Sequence, residues 1–175
     1  MKNFLKWGIY IVALNALFMI IGYLAGWTTQ PLGRTMGWVS MALSLVLLFM
    51  GIKEKKTENP GDFTFGRGWV EGFLISIVAA VLFAFFFYIF AAFINPEMVD
   101  YARSEGAKQM AAQNMPKEQV EQAKKFMDFF ISPTGYAIGS LFMYSIGGMV
   151  VSLIFAPIIK SMGGGGNTAA PVESV

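Results

Sequence analysis

Glu71, Arg67 and Asp62 are the residues whose types and spacing come nearest to doing chemistry in this chain. A carboxylate four residues from a guanidinium, with a second acid close by, could support acid–base work. Glu and Arg at that helical spacing are first of all an ordinary surface pair worth about 0.2–0.5 kcal/mol. The sequence has no histidine, which removes the commonest general base and the commonest metal ligand together. It has no cysteine, so it offers neither a disulfide framework nor a thiolate metal site. Tyr88, Tyr144 and Asn15 are polar side chains inside otherwise apolar runs. Asn15 reads as an interhelical hydrogen bond ahead of a substrate contact. The four glycines after Met162 precede no helix and do not resemble a phosphate-binding loop. No catalytic, cofactor-binding or metal-ligating residue is assigned, and no enzymatic activity is expected.

The elements that hold these side chains are greasy. Residues 72–94 carry no charge, and fifteen of the 23 are Leu, Ile, Val or Phe. Transfer of that stretch into lipid gains roughly 5–9 kcal/mol, and at ~1.5 Å per residue it spans the ~30 Å hydrocarbon layer. Comparable runs occupy 7–27, 35–52 and 136–159. With 55% apolar and 14% charged residues, short polar connections could not cover helices that are apolar all round. The expected fold is therefore all-α: a polytopic membrane protein with four transmembrane helices and an extramembrane helical hairpin between spans three and four. A single membrane domain over 1–160 and a disordered Gly-rich tail over 161–175 complete the layout. The lipid bilayer is the first partner. A net charge of +2 with scattered basic residues excludes nucleic acid.

Within the first span Gly8, Asn15 and Gly22 fall seven apart on one face, with Gly26 a turn further. Gly68, Gly72, Ser76, Ala80 and Ala84 recur every four residues in the third span, and Ser140, Gly148, Ser152 and Ala156 repeat the idea in the fourth. Small residues at this spacing let two backbones pack closely, within one chain or in a homo-oligomer. Lys2 and Lys6 precede a run longer than a signal-peptide core, so the first span is read as permanent. The segment 28–34 reads as a tight turn from which Arg34 snorkels to the headgroups, and 53–71 as a charged loop lying at headgroup level, with Glu71 starting the third helix. All four Trp fall near span ends, as interfacial rings should.

Residues 95–135 are the sizeable water-exposed element. Asn95 caps a helix begun by Pro96, Asn114, Met115 and Pro116 interrupt it, and a second helix follows to about Ile131. Val120, Ala123, Met127 and Phe130 form its apolar stripe, to meet the partner helix or the membrane. Lys117, Glu121, Lys124 and Asp128 lie opposite, Glu121 and Lys125 form an i, i+4 pair, and Lys117, Glu121, Lys124 and Lys125 are the candidate interaction surface. Lys2, Lys6 and the four basic residues of 53–71 place both termini in the cytoplasm by the positive-inside rule, against five basic residues spread over 95–135.

The order and spacing of several short stretches resemble the bacterial membrane family known as domain of unknown function 4199. The likeness runs through Phe65-Gly66, Gly72-Phe73-Leu74-Ile75-Ser76, Ile94-Asn95-Pro96-Glu97, Met115-Pro116-Lys117-Glu118-Gln119-Val120-Glu121 and Ser132-Pro133. It covers about 1–160 and implies four membrane helices in a bacterial envelope and no established activity, so no catalytic residues carry over; the expected location is the bacterial cytoplasmic membrane. Because polar complexity is concentrated in the hairpin, the favoured role is a non-catalytic interaction or assembly component that meets a membrane or envelope protein. A small oligomeric channel or transporter subunit is the alternative, and a membrane enzyme stands third.

Overall fold

The computed structural model describes residues 1–27, 31–112 and 117–162. Helix α1 spans Asn3–Leu24 and α2 spans Pro31–Glu58, followed by a short 3-10 turn at Pro60–Asp62. Helix α3 runs Phe65–Ile89 and closes in a π turn over Phe90–Ile94; then come α4 (Pro96–Ala112), α5 (Lys117–Phe130) and α6 (Pro133–Ser161). The described residues contain helices and no strand. The expected breaks at Asn114, Met115 and Pro116, the side chains of Arg34 and Lys117 and the Gly-rich tail lie outside the described residues.

Helices α1, α2, α3 and α6 are the four membrane spans. Their burial pattern is that of a protein dissolved in hydrocarbon. Phe85, Phe142 and Met143 stand on the outer surface of the spans, Met143 at 75% exposure. Asn15, Ser40, Ser44, Ser76 and Ser152 are buried. A water-soluble bundle would distribute these residue types the other way round.

Helix α3 is central and packs against α6, α1 and α2. Its seam with α6 is the small-residue ridge, in antiparallel register. A Cβ added at Gly68 would meet Ala156, one at Gly72 would meet Ser152, and one at Gly148 would overlap the Ser76 side chain. Ala80 is fully buried on the same ridge, whereas Ala84 and Ser140, one turn beyond, are half-buried. The ridges are thus spent on packing within one chain. Around the seam, Trp7, Ile11, Leu48, Ile52, Ile75, Ala79 and Ile159 form the core. Gly8 brings α1 against α3, since a Cβ there would strike Val78.

Several boundaries differ from those read in the sequence. Helix α2 continues through the charged stretch to Glu58, because Lys and Glu are strong helix formers and Lys55 and Lys56 suit the negative C-terminal end. It begins at Pro31, inside the expected turn. The headgroup-level loop of 53–71 therefore shrinks to 59–64, and α3 starts at Phe65, where the Thr64 side chain accepts a hydrogen bond from the Arg67 N–H. Gly26 belongs to no packing face. It has φ +69° beyond the end of α1, where its N–H reaches the Tyr23 carbonyl, as in a glycine-terminated helix. The π turn has a local cause. Pro96 disfavours helical geometry at Asn95 (φ −135°), and the Asn95 N–H closes back on the Phe90 carbonyl at 2.8 Å.

Candidate functional site

One end of the bundle gathers the N-termini of α1 and α3 and the C-termini of α2 and α6. It is here that the charged side chains meet. Glu71 is the seventh residue of α3 and only 6% exposed. Its Oε1 accepts from Asn3 Nδ2 at 3.0 Å, and Asn3 Nδ2 also donates to the Gly51 carbonyl at 2.9 Å. A carboxyl group taken out of water is costly unless such donors compensate it. The Asn3 amide thereby ties α1 to α3 through Glu71 and to α2 through Gly51.

The expected Arg67–Glu71 pair does not form. Arg67 Nη1 instead holds Asp62 through Oδ2 at 2.8 Å and through the carbonyl at 2.9 Å, because the turn at Pro60–Asp62 folds back over the start of α3. Glu71 is therefore neither a surface residue nor in the first helical turn. It borders a cavity of about 490 Å³ shared with Lys55, Asp62, Phe63 and Arg67.

Two further links close this end. Glu54 takes Lys6 as an ion-pair partner and Trp7 Nε1 at 2.5 Å, which joins α1 to α2. Lys56 Nζ donates to the carbonyls of Ile159 (2.7 Å), Lys160 (3.0 Å) and Met162 (3.3 Å). A cation on the last free carbonyls of a helix satisfies orphan acceptors and complements the negative dipole end. The arrangement fixes four helix ends. Among the described residues no three metal-ligating side chains converge here.

Deeper in the membrane, Asn15 makes the interhelical contact expected of it. Its Nδ2 donates to Ser44 Oγ at 2.8 Å and to the Ile11 carbonyl, and its Oδ1 accepts from Ser40 Oγ at 2.8 Å. Gly22 lies two turns away on the same face, buried.

At the opposite end, α4 and α5 form the hairpin. Asn95 Oδ1 caps the Met98 N–H at 3.3 Å, as its position before Pro96 implies. Gly106 abuts Met127, and Arg103 Nε donates to the Ile131 carbonyl at 2.9 Å. Val120, Ala123 and Met127 are half-buried, but Phe130 is exposed and packs, tilted, against Phe126 at 4.2 Å between ring centroids. Phe126, Phe129 and Phe130 therefore form an outward aromatic row that the helical stripe alone did not disclose. Glu121, Lys124 and Lys125 are exposed, and the expected Glu121–Lys125 ion pair is absent among the described residues.

No curated protein and no solved structure is significantly similar to the chain. Residues 6–161, which take in all but the first three residues of the four spans together with the hairpin, match the model described as Protein of unknown function (DUF4199), and the chain is a four-span membrane protein belonging to that family.

Proposed function

We propose that this protein is a non-catalytic interaction or assembly component of a bacterial cytoplasmic membrane, with its termini inside and the α4–α5 hairpin outside. The observation that carries the reading is the row of Phe126, Phe129 and Phe130, left uncovered by the rest of the chain on a helix beyond the spans. Large exposed aromatics rimmed by Lys124 and Lys125 are the kind of surface that enters an apolar groove on a partner. The orientation is supported by where basic residues fall. Seven of the thirteen Lys and Arg side chains (Lys2, Lys6, Lys53, Lys55, Lys56, Arg67 and Lys160) crowd around the end where α1 begins and α6 stops, while the hairpin's five are dispersed. The partner is a membrane or envelope protein. A photo-crosslinker at position 126 or 129, in native membranes, should trap a discrete protein adduct that a crosslinker at Met143 does not. Absence of any such adduct, together with a normal phenotype after the hairpin is deleted, would refute the proposal.

A second reading, a small channel or transporter subunit, draws on Glu71. The third span begins early enough to take this carboxyl inside it, and ionisable groups kept within membrane helices commonly serve transport. It requires ion or proton flux in reconstituted vesicles that Glu71→Gln abolishes.

A further inference from the structure

We infer that the cavity beside Glu71 binds the zwitterionic headgroup of an aminophospholipid, phosphatidylethanolamine in its chemistry, with the ammonium at Glu71 and the phosphate at Lys55 and Arg67. The cavity, about 490 Å³, lies between the C-terminal end of α2 and the first two turns of α3. This is headgroup level, because both helices are membrane spans and the connection between them is reduced to 59–64. Val70 lines the cavity and is left uncovered by the rest of the chain, so the site opens sideways to lipid, while the exposed Asn59 and Asp62 open it toward water.

The charges of the lining decide the ligand. Of the carboxylates at this end, Glu54, Glu58 and Asp62 each sit in an ion pair, with Lys6, Lys55 and Arg67 respectively. Glu71 is the exception. It is the most buried of them, it borders the cavity directly, and among the described residues no Lys or Arg pairs with it. A carboxylate withdrawn from water without a cation is the costly arrangement, and a cation brought into the cavity relieves it. The rim has the opposite need. The Lys55–Glu58 pair is long, at 3.9 Å, and Arg67 holds Asp62 through Nη1, which leaves its other guanidinium N–H groups for a second acceptor. Gly66 lines the same rim in the first turn of α3, where the positive end of the helix favours an anion. Two cations and two carboxylates make the lining neutral, so the matching ligand is neutral overall and divided in charge. Arg67 and Glu71 are one turn apart, about 6 Å along the helix, a spacing suited to a phosphate and an ammonium joined by an ethylene link. A primary ammonium donates hydrogen bonds to a carboxylate; the quaternary ammonium of choline has none to give, and a glycerol headgroup brings no cation. A metal ion fits less well, since among the described residues no three metal-ligating side chains converge.

Native mass spectrometry of the full chain in detergent tests the site. The protein is incubated with equal amounts of phosphatidylethanolamine, phosphatidylcholine and phosphatidylglycerol that carry the same acyl chains, and each adduct is counted. The phosphatidylethanolamine adduct should exceed the phosphatidylcholine adduct about tenfold, as expected for a charge-assisted hydrogen bond. Glu71→Gln removes the charge but keeps an acceptor for Asn3, so it should bring phosphatidylethanolamine down to the phosphatidylcholine level with the thermal transition unchanged. Lys55→Gln combined with Arg67→Gln lies outside the core and is the second variant should the first fold poorly; it too should cost most of the phosphatidylethanolamine adduct. Soluble glycerophosphoethanolamine in molar excess separates the two sources of the headgroup. It should leave the lipid adduct in place, since it lacks acyl chains to lie against Val70, and full displacement would overturn the lipid assignment. Equal adducts of the three lipids, a preference for phosphatidylglycerol, or a phosphatidylethanolamine preference that survives in either folded variant would overturn the proposal. The hairpin lies at the opposite end of the bundle, so the outcome is independent of whether it binds a partner.

Discussion

Adding one methyl group to Gly148 tests how closely α3 and α6 approach. That methyl would overlap the Ser76 side chain, including its Cβ, which no rotamer change can move. The helices must therefore part by something on the order of 1 Å, enough to forfeit a quarter to a half of the dispersion energy of each contact along the seam. Overpacking of this kind costs about 1–3 kcal/mol. Alanine also favours a helix by up to about 1 kcal/mol over glycine, which hides part of the cost. Gly147→Ala supplies the control. It lies one position away in the same helix, its added Cβ would meet nothing within 4 Å, and it receives the same propensity gain. The difference between the two variants isolates the packing term at about 1–3 kcal/mol. Ser76→Gly in the Gly148→Ala background should restore most of it, because the nearest remaining Ser76 atom is the Cα at 3.6 Å. Reversible unfolding in mixed micelles by sodium dodecyl sulfate titration, followed by circular dichroism, gives the free energies. Equal stabilities for Gly147→Ala and Gly148→Ala, or no recovery in the double variant, would refute the register and closeness of the seam.

Asn15→Leu leaves Ser40 and Ser44 without their shared partner and should lower stability by about 0.5–2 kcal/mol in the same titration, the range measured for polar contacts between membrane helices. Lys56→Met removes three hydrogen bonds to the end of α6, so amide exchange should quicken in the residues just before and after Lys160 and change little at the Ser76–Gly148 seam. Glu71→Gln keeps an oxygen to accept from Asn3 and should fold with little loss, whereas Glu71→Ala strands a buried donor at about 1–3 kcal/mol; thermal melting of both proteins separates the cases.

The spans and the small-residue ridges were legible in the sequence because both are local patterns: apolar length sets the first and i, i+4 spacing the second. The pairing of Gly72 with Ser152 and of Gly148 with Ser76 was not, since nothing local fixes the register of two helices some eighty residues apart. Glu71 was misplaced for a similar reason. Its burial depends on Asn3, 68 residues earlier, and on the charged end of α2 staying helical, which charge alone had suggested was a loop. Asn95 was read correctly as a cap because capping is decided within three residues, yet the spare Nδ2 beside the π turn is a tertiary fact. On α5 the apolar residues occupy more arc than α4 can cover, so the stripe gave Val120, Ala123 and Met127 correctly and left Phe126 and Phe129 unnoticed.

The absence of native cysteine makes site-directed labelling the most direct trial of the membrane arrangement. Single substitutions Val81→Cys and Met143→Cys, on the outer surface of α3 and α6, should resist a membrane-impermeant maleimide in intact vesicles, while Thr57→Cys and Ser104→Cys should react, each from one side only and from opposite sides. Labelling of positions 81 and 143 as fast as position 104, or of 57 and 104 from the same side, would contradict a four-span protein with the hairpin on the face opposite its termini.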